Sequence, residues 1–308
     1  MSSKHVWVVV LAAGEGLRLR QAEPYGPDSR TPKQYRRLDG QESMLRWTLR
    51  RASAVTARSR IVVVVAPEHQ LWWRSQLADL PRDNIVVQPR NRGTAIGILL
   101  PLMLVLSRDP DAEVLVLPSD HHVEREEVMC RVLRRALQLA RQQSSRIVLV
   151  GVRPERDLMD YGWILPDCPL DEVSAGQVAE FREKPGRQAI GKLLARGAVV
   201  NSLMVAGRGH TLKRLIAEEA PEVPEQMTRC LVDQKTFATG CLDRVYDDIA
   251  STDFSRDVLE SRPDRLLVQP AADECGWSDL GTPERLRHYF AAHASVAAAR
   301  HSPVIHSH

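Results

Sequence analysis

Gly14 and Gly16 flank a single residue in the string LAAGEGLRL (residues 11–19), with Arg18 close behind. Glycines so placed let backbone N–H groups converge on an anion, and the Arg18 guanidinium adds a fork suited to phosphate. This is not a dinucleotide loop, because Leu19 stands where the third glycine would be, and no G-x4-GK[ST] string occurs. A plain strand-to-helix turn would also use these glycines. Lys33, in TPKQY (31–35), is a point charge for outer phosphates or a surface lysine. The polar turn QPRNRGTA (88–95) offers Gln88, Asn91, Thr94 and the bare backbone of Gly93 to a flat base; its other reading is a capped helix entry. Asp120, in PSDHH (118–122), follows an apolar strand, the place where open α/β sheets bind ligands. The neighbouring His121 and His122 read more simply as solvated or supporting side chains than as metal ligands. YGWI (161–164), FREKP (181–185), Asn201-Ser202 and GWSDLG (276–281) complete the set. Asn201 sits between apolar Val200 and Leu203, and Asp279 lies in a glycine-bounded turn beside Trp277.

The elements that must position these residues can be read from periodicity. Continuous β-branched runs at 6–11, 61–65, 114–117 and 147–150 alternate with segments of helical spacing. Runs apolar on both faces predict parallel strands covered on both sides. Within 126–142, Met129, Leu133, Ala136, Leu137 and Ala140 form one helical stripe, and 94–107 predicts a buried helix with Thr94 as its N-cap. The expected architecture is an open, mostly parallel α/β sheet with right-handed crossovers. Beyond 150 the alternation loosens. Strands are expected at 178–181, 199–205 and 266–268, and helices at 188–196, closed by Gly197, and at 284–300. Residues 302–308 read as a frayed tail. The second half is expected to elaborate the same sheet, giving one catalytic unit over 1–290 with halves at about 1–150 and 151–290, then a helix end and tail at 291–308.

Composition bounds the function. The chain has 308 residues, 44% hydrophobic and 26% charged, with a net charge of +3. That is ordinary for a globular protein with a sizeable core. The longest strongly apolar run, 95–106, is too short to span a bilayer and contains Gly97 and Pro101. The apolar run at 6–13 passes directly into the glycine loop, which suits a first strand better than a leader. Residues 14–60 carry eleven Arg and Lys against five Asp and Glu, an excess that fits a small anionic ligand or a solvated face. Basic blocks with interleaved aromatics are lacking, so nucleic acid is not expected. Five scattered cysteines without a CxxC argue for a reducing compartment and against a disulfide framework or zinc site.

Taken in order, these motifs resemble the sugar-1-phosphate nucleotidyltransferases, and most closely the mannose-1-phosphate guanylyltransferases, over roughly residues 6–290. The family strings LAGGxGxRL, PKQF, QPxxRGTA, PSDH, YGxI, FxEKP, NS and GWSDxG appear at 11–19, 32–35, 88–95, 118–121, 161–164, 181–185, 201–202 and 276–281. The chain departs from the pattern at Ala13 (for glycine), at Ile96, and at Leu203-Met204 (for Gly-Ile). Roughly 25 residues follow the last motif, so a short, monofunctional form is expected, without a β-helical or cupin extension.

The resemblance implies a Rossmann-like, GT-A-like fold and a cytoplasmic transferase. It would move a nucleotidyl group from an NTP, GTP favoured, to a hexose 1-phosphate, mannose 1-phosphate favoured. Other NTP and glucose 1-phosphate pairs, or a non-catalytic nucleotide-sugar-binding protein, are the alternatives. By motif position, Ala12, Ala13, Gly14, Gly16 and Arg18 would hold the triphosphate, with Lys33 at the leaving pyrophosphate. Gln88, Asn91, Gly93 and Thr94 would lie along the base. Asp120 and Asp279 would hold Mg2+, Lys184 would meet the sugar phosphate, and Tyr161, Gly162, Glu183 and Asn201 would contact the sugar. The implied partners are small molecules, with neither nucleic acid nor membrane, and a homodimer is compatible.

Overall fold

The computed structural model describes residues 4–15, 31–38, 42–154, 159–171 and 174–300, the last nine of these by backbone only. The β-branched run β1 (Val6–Ala12) pairs in parallel with β2 (Ile61–Val65), and β3 (Ile85–Val87) extends that edge in parallel from β2. On the other side of β1, β4 (Glu113–Pro118) pairs in parallel, ending in the Asp120 loop and the short β5 (His122–Val123). The connections are α1 (Met44–Ser53), α2 (Gln70–Gln76), α3 (Gly93–Arg108) and α4 (Glu126–Gln142).

The parallel pattern changes beyond β4. β6 (Ile147–Val152) does not pair with it; β9 (Val199–Arg208) is inserted between them and runs antiparallel to both. β7 (Gly162–Pro166) and β8 (Gly176–Glu183) form an antiparallel pair. The helix between β8 and β9 is α5 (Arg187–Ala195), closed by Gly197 at φ +79°. After β9 come α6 (Gly209–Glu219), α7 (Val223–Arg229), the hairpin β10 (Leu231–Val232) and β11 (Thr236–Phe237), and α8 (Thr239–Asp248). β12 (Leu266–Pro270) joins β6 in parallel and β8 antiparallel. The nine-stranded order is β3-β2-β1-β4-β9-β6-β12-β8-β7. The sheet is therefore parallel in its first four strands and mixed afterwards, because the second half is threaded into the sheet rather than wound onto its edge. β13 (Trp277–Ser278) and α9 (Pro283–Arg300) close the chain.

Both faces are covered. Val8, Val10, Val63, Leu115 and Leu117 pack under α1, α2 and the Met129–Leu133–Ala136–Leu137–Ala140 stripe of α4. Val9, Val62, Val114 and Val116 face α3, whose Ile98, Leu99 and Leu102 are fully buried, together with α6, α7 and α8. Alternate residues of β1 thus serve opposite layers, as strand geometry requires.

Two local expectations are corrected. Arg92, not Thr94, occupies the N-cap of α3, and no side chain caps that helix end. The hairpin of β10 and β11 brings Cys230 and Cys241 to a Cα separation of 5.4 Å, and they form a disulfide, leaving Cys130, Cys168 and Cys275 free. The hairpin pairing was invisible in a spacing of eleven residues.

Candidate functional site

The glycine loop leaves the C-terminal end of β1, and its carbonyls are tied down from below. Gln34 Nε2 donates to Ala12 O (3.0 Å) and Gly14 O (2.8 Å), and the Tyr35 hydroxyl donates to Ala12 O (3.0 Å). The turn at Lys33–Tyr35 is buried, so PKQY is a staple for the loop as well as a source of Lys33. Motif reading singled out Lys33 and missed the roles of Gln34 and Tyr35. Gly16 and Arg18 lie outside the described residues.

Above this loop lies a cleft of about 210 Å³ whose walls include Ala13, Gly14, Gln88, Asn91, Gly93, Thr94 and Asp120. Ala12 is buried beneath it and lends the loop only its carbonyl. Gln88 donates through Nε2 to Arg90 O (2.8 Å), while its buried Oε1 has no hydrogen-bond partner. An orphan acceptor in a cleft wall is costly unless a ligand satisfies it. Asn91 Oδ1 accepts from Gly93 N (2.9 Å), fixing the turn. Gly93 has φ +82°, and a Cβ there would meet Thr252 O at 2.2 Å. The flanking Arg90 and Arg92 turn away to α8, Arg90 onto the Asp247 carboxylate and Arg92 Nε onto Tyr246 O (2.8 Å).

Asp120 and Asp279 are distant in sequence and meet through a two-residue ladder. β13 pairs antiparallel with β5, Trp277 opposite Val123 and Ser278 opposite His122. Lys33 then bridges them: its Nζ donates to Asp120 Oδ2 (2.9 Å) and to the Asp279 carbonyl. Burial alone would raise the Asp120 carboxyl, but Lys33, helped by His121, holds it below the usual range. Asp279 is buried too, and Lys33 and Arg285 overcome that burial to bring it down to about 2. Gly281 makes the turn possible, since a Cβ there would lie 2.6 Å from Asp279 Oδ2, and its N–H donates to Oδ1 (3.1 Å). His121 is not solvated. The β5–β13 ladder lays Trp277 against its ring edge to face (5.2 Å), and burial pushes the imidazole down to about 4, with Asp120 pulling the other way.

Arg285 is the residue that motif reading missed altogether. Its Nη1 donates to Asp279 Oδ1 and to the Tyr161 hydroxyl, both at 2.7 Å. Nothing in the string GWSDLGTPER marks it; only the direction in which α9 leaves the turn brings it in.

The third group gathers on β7 and β8, where Gly162 stands opposite Glu183. A Cβ on Gly162 would meet Glu183 Oε2 and the Phe181 ring, each at 2.8 Å. Burial raises the Glu183 carboxyl despite its ion pair with Lys184 (3.3 Å). Lys184 itself has φ +49°, held by its N–H to Tyr161 O (3.0 Å). Left-handed backbone at a non-glycine residue costs roughly 1–2 kcal/mol. Asn201 is buried, and its Oδ1 accepts from Leu203 N (3.1 Å). This bend carries Leu203, at φ +58°, into the wall of the glycine-loop cleft.

Asp120, which lines the cleft, and the buried Asp279, tied to it through Lys33, supply hard oxygen donors that suit Mg2+. Among the described residues there is no group of three or more His, Cys, Asp or Glu that could hold a metal. A two-carboxylate set fits an ion that keeps water and takes further oxygens from substrate phosphates. Among the described residues no helix is long and apolar enough to cross a membrane.

The family described as nucleotidyl transferase matches residues 7–296. A mannose-1-phosphate guanylyltransferase of Escherichia coli is 31% identical over 293 residues, covering 89% of this chain and 58% of its own length. One from Salmonella montevideo is 32% identical, with the same coverage of both chains. The chain thus spans a little over half the length of these curated relatives. Among solved structures, one described as mannose-1-phosphate geranyltransferase from Thermus thermophilus superposes with a TM-score of 0.78 at 23% identity, covering 93% of this chain and 79% of its own. That likeness shows the fold, which is the α/β nucleotidyltransferase arrangement.

Proposed function

Because the chain belongs to the nucleotidyl transferase family, we propose that it transfers a nucleotidyl group from a nucleoside triphosphate to a hexose 1-phosphate and releases pyrophosphate. The observation that carries this reading is Lys33, its ammonium bonded to the Asp120 carboxylate and the Asp279 carbonyl beside the glycine-loop cleft. GTP is favoured among the bases by the names of the relatives, which are guanylyltransferases, and the orphan Gln88 Oε1 supplies an acceptor that a base N–H would satisfy. Mannose 1-phosphate is favoured by the names of the relatives. The substrates proposed are small molecules, and a cytoplasmic setting rests on the family resemblance alone, because the Cys230–Cys241 disulfide removes the cysteine argument for a reducing compartment.

The nucleophile, a phosphate monoester, is largely dianionic at neutral pH, so no general base is required. The barrier is charge repulsion and alignment. Ala13 and Gly14, which line the cleft, would hold the triphosphate, with Gly16 and Arg18 assigned there by the family motif alone, while Asn91, Gly93 and Thr94 would flank the base. Lys33 offsets charge on the departing pyrophosphate. Lys184 meets the sugar phosphate, and Tyr161, Gly162, Glu183 and Asn201 shape the sugar side. Mg2+, when bound by Asp120 and Asp279, supplies charge neutralisation at the transferring phosphate. Each NTP paired with mannose or glucose 1-phosphate, followed by pyrophosphate release, tests the reading. The highest rate is expected with GTP and mannose 1-phosphate; a tenfold preference for dTTP or UTP would reject the guanylyl assignment, and no release from any pair would reject the reaction.

Lys184 separates a chemical role from a turn role. Lys184→Gly removes the ammonium and also relieves the left-handed backbone, so melting should stay level or rise by about 1 kcal/mol of stability. The half-exposed pair with Glu183 contributes under about 1 kcal/mol. Meanwhile KM for the sugar phosphate should rise and kcat fall, with nucleotide KM unchanged. Unaltered kinetics in this variant would make Lys184 a turn residue only.

A further inference from the structure

Arg285 reaches Asp279 from a place where a helix disfavours a cation. It lies in the first turn of α9, its backbone N–H donating to Thr282 Oγ1 (3.3 Å). Positive charge there opposes the helix dipole. Its compensation comes from its side-chain partners: the guanidinium donates to Asp279 and Tyr161 and sits 4.8 Å above the Tyr161 ring. Its side chain is only 22% exposed and that of Asp279 only 7%, so water screens the pair weakly. Lys33 pairs with Asp120 in the same way, at 2.9 Å. Each carboxylate suited to the metal thus already carries a cation of the chain.

We propose that Arg285 is a positioning residue that sets the order of metal arrival. By neutralising Asp279 it keeps the Asp120–Asp279 pair weak toward a free divalent ion, so that the ion is held firmly only when triphosphate oxygens complete its shell. The same guanidinium locks the Tyr161 phenol to the Asp279 turn, so the sugar wall and the metal wall move as one. This inference rests on the nucleotidyl-transfer reading for the identity of the second ligand.

Mn2+ titration of the full chain, followed by the EPR signal of the free ion, tests it without turnover. In the absence of nucleotide, Arg285→Gln should bind Mn2+ at least about tenfold more tightly than the wild type, since a unit charge within a few ångströms is removed. Arg285→Lys, which keeps the charge, should stay within about threefold. A merely structural tie between α9 and the turn would change melting but leave Mn2+ affinity alone. Unchanged or weaker Mn2+ binding by a folded Arg285→Gln overturns the proposal. If that variant does not fold, the wild type decides: GTP should tighten Mn2+ binding beyond the affinity of GTP alone for the ion, and no such gain overturns it. Failure of the transfer reading is seen separately, as no pyrophosphate from any substrate pair, and leaves the nucleotide-free comparison of wild type and Arg285→Gln intact.

Discussion

Asp279→Asn is expected to leave a folded protein whose kcat is lower by about 10²–10³, equivalent to roughly 3–4 kcal/mol of lost electrostatic stabilisation. The substitution keeps the shape of the turn, including the carbonyl that accepts from Lys33 and the side-chain oxygen that accepts from Gly281 N. It removes the charge that faces Arg285 and Lys33 and would meet a divalent ion. A separate signature appears in stability against pH. In the folded protein the Asp279 carboxyl is brought down to about 2 from an ordinary value near 4: burial opposes this, and Lys33 and Arg285 prevail. A depressed carboxyl contributes stability that is complete above the unfolded value and lost as pH falls from there toward 2. The size is about 2 kcal/mol, so the wild type should lose that much between about pH 5 and pH 2, and the Asn variant should lack that part of the acid loss. Denaturant melts across this range check the stability, and pyrophosphate release at saturating Mg2+ checks the rate. Near-normal turnover would leave Asp279 as a residue of the turn alone.

What the sequence made legible was whatever depends on short-range pattern. The short, β-branched runs at 61–65 and 147–150 read as buried strands, and the Met129-to-Ala140 stripe as an inward helix face, and the fold holds them so. Motif order placed Asn91, Gly93, Thr94 and Asp120 around one cleft, and the fold brings them there. What stayed hidden depends on contacts made across the chain. The insertion of β9 between β4 and β6 follows from no local propensity, since which strands pair depends on packing between segments far apart in the chain. Arg285 and Tyr161 are more than a hundred residues apart, and their bond exists only because β13 docks on β5. The departure at Leu203 has a physical meaning seen only in the backbone: at φ +58° a glycine would be relaxed, whereas leucine bears the strain and lines the cleft. Gly93 combines both situations, a residue flagged by its motif whose reason lies far along the chain at Thr252.

Among the described glycines, Gly93→Ala should be the most damaging substitution, since its Cβ would meet the closest backbone obstacle. The added Cβ would stand 2.2 Å from Thr252 O and 2.7 Å from its carbonyl carbon, and backbone cannot swing away as a flexible side chain can. At φ +82° alanine is strained even in open space, by roughly 1 kcal/mol. Relief requires separating the two loops, which breaks the bonds Ala95 N to Thr252 O (3.1 Å) and Thr252 N to Arg92 O (3.0 Å), each worth about 1 kcal/mol. The total is about 3 kcal/mol, and at roughly 2–4 °C per kcal/mol for a large domain the midpoint should fall by about 6–12 °C. The loop that would move carries Asn91 and Thr94 at the base side of the cleft, and its retreat also frees Arg92 from α8. Nucleotide KM should therefore rise at temperatures well below the melt, while KM for the sugar phosphate, whose residues lie on or beside β7, β8 and β9, stays near its original value. Thr252→Gly does not relieve the clash, because the atoms in the way are backbone. A Gly93→Ala protein that melts and binds nucleotide like the wild type would mean that this loop is free to yield, and the close packing of the 88–95 turn on Thr252 would then have no part in holding the nucleotide.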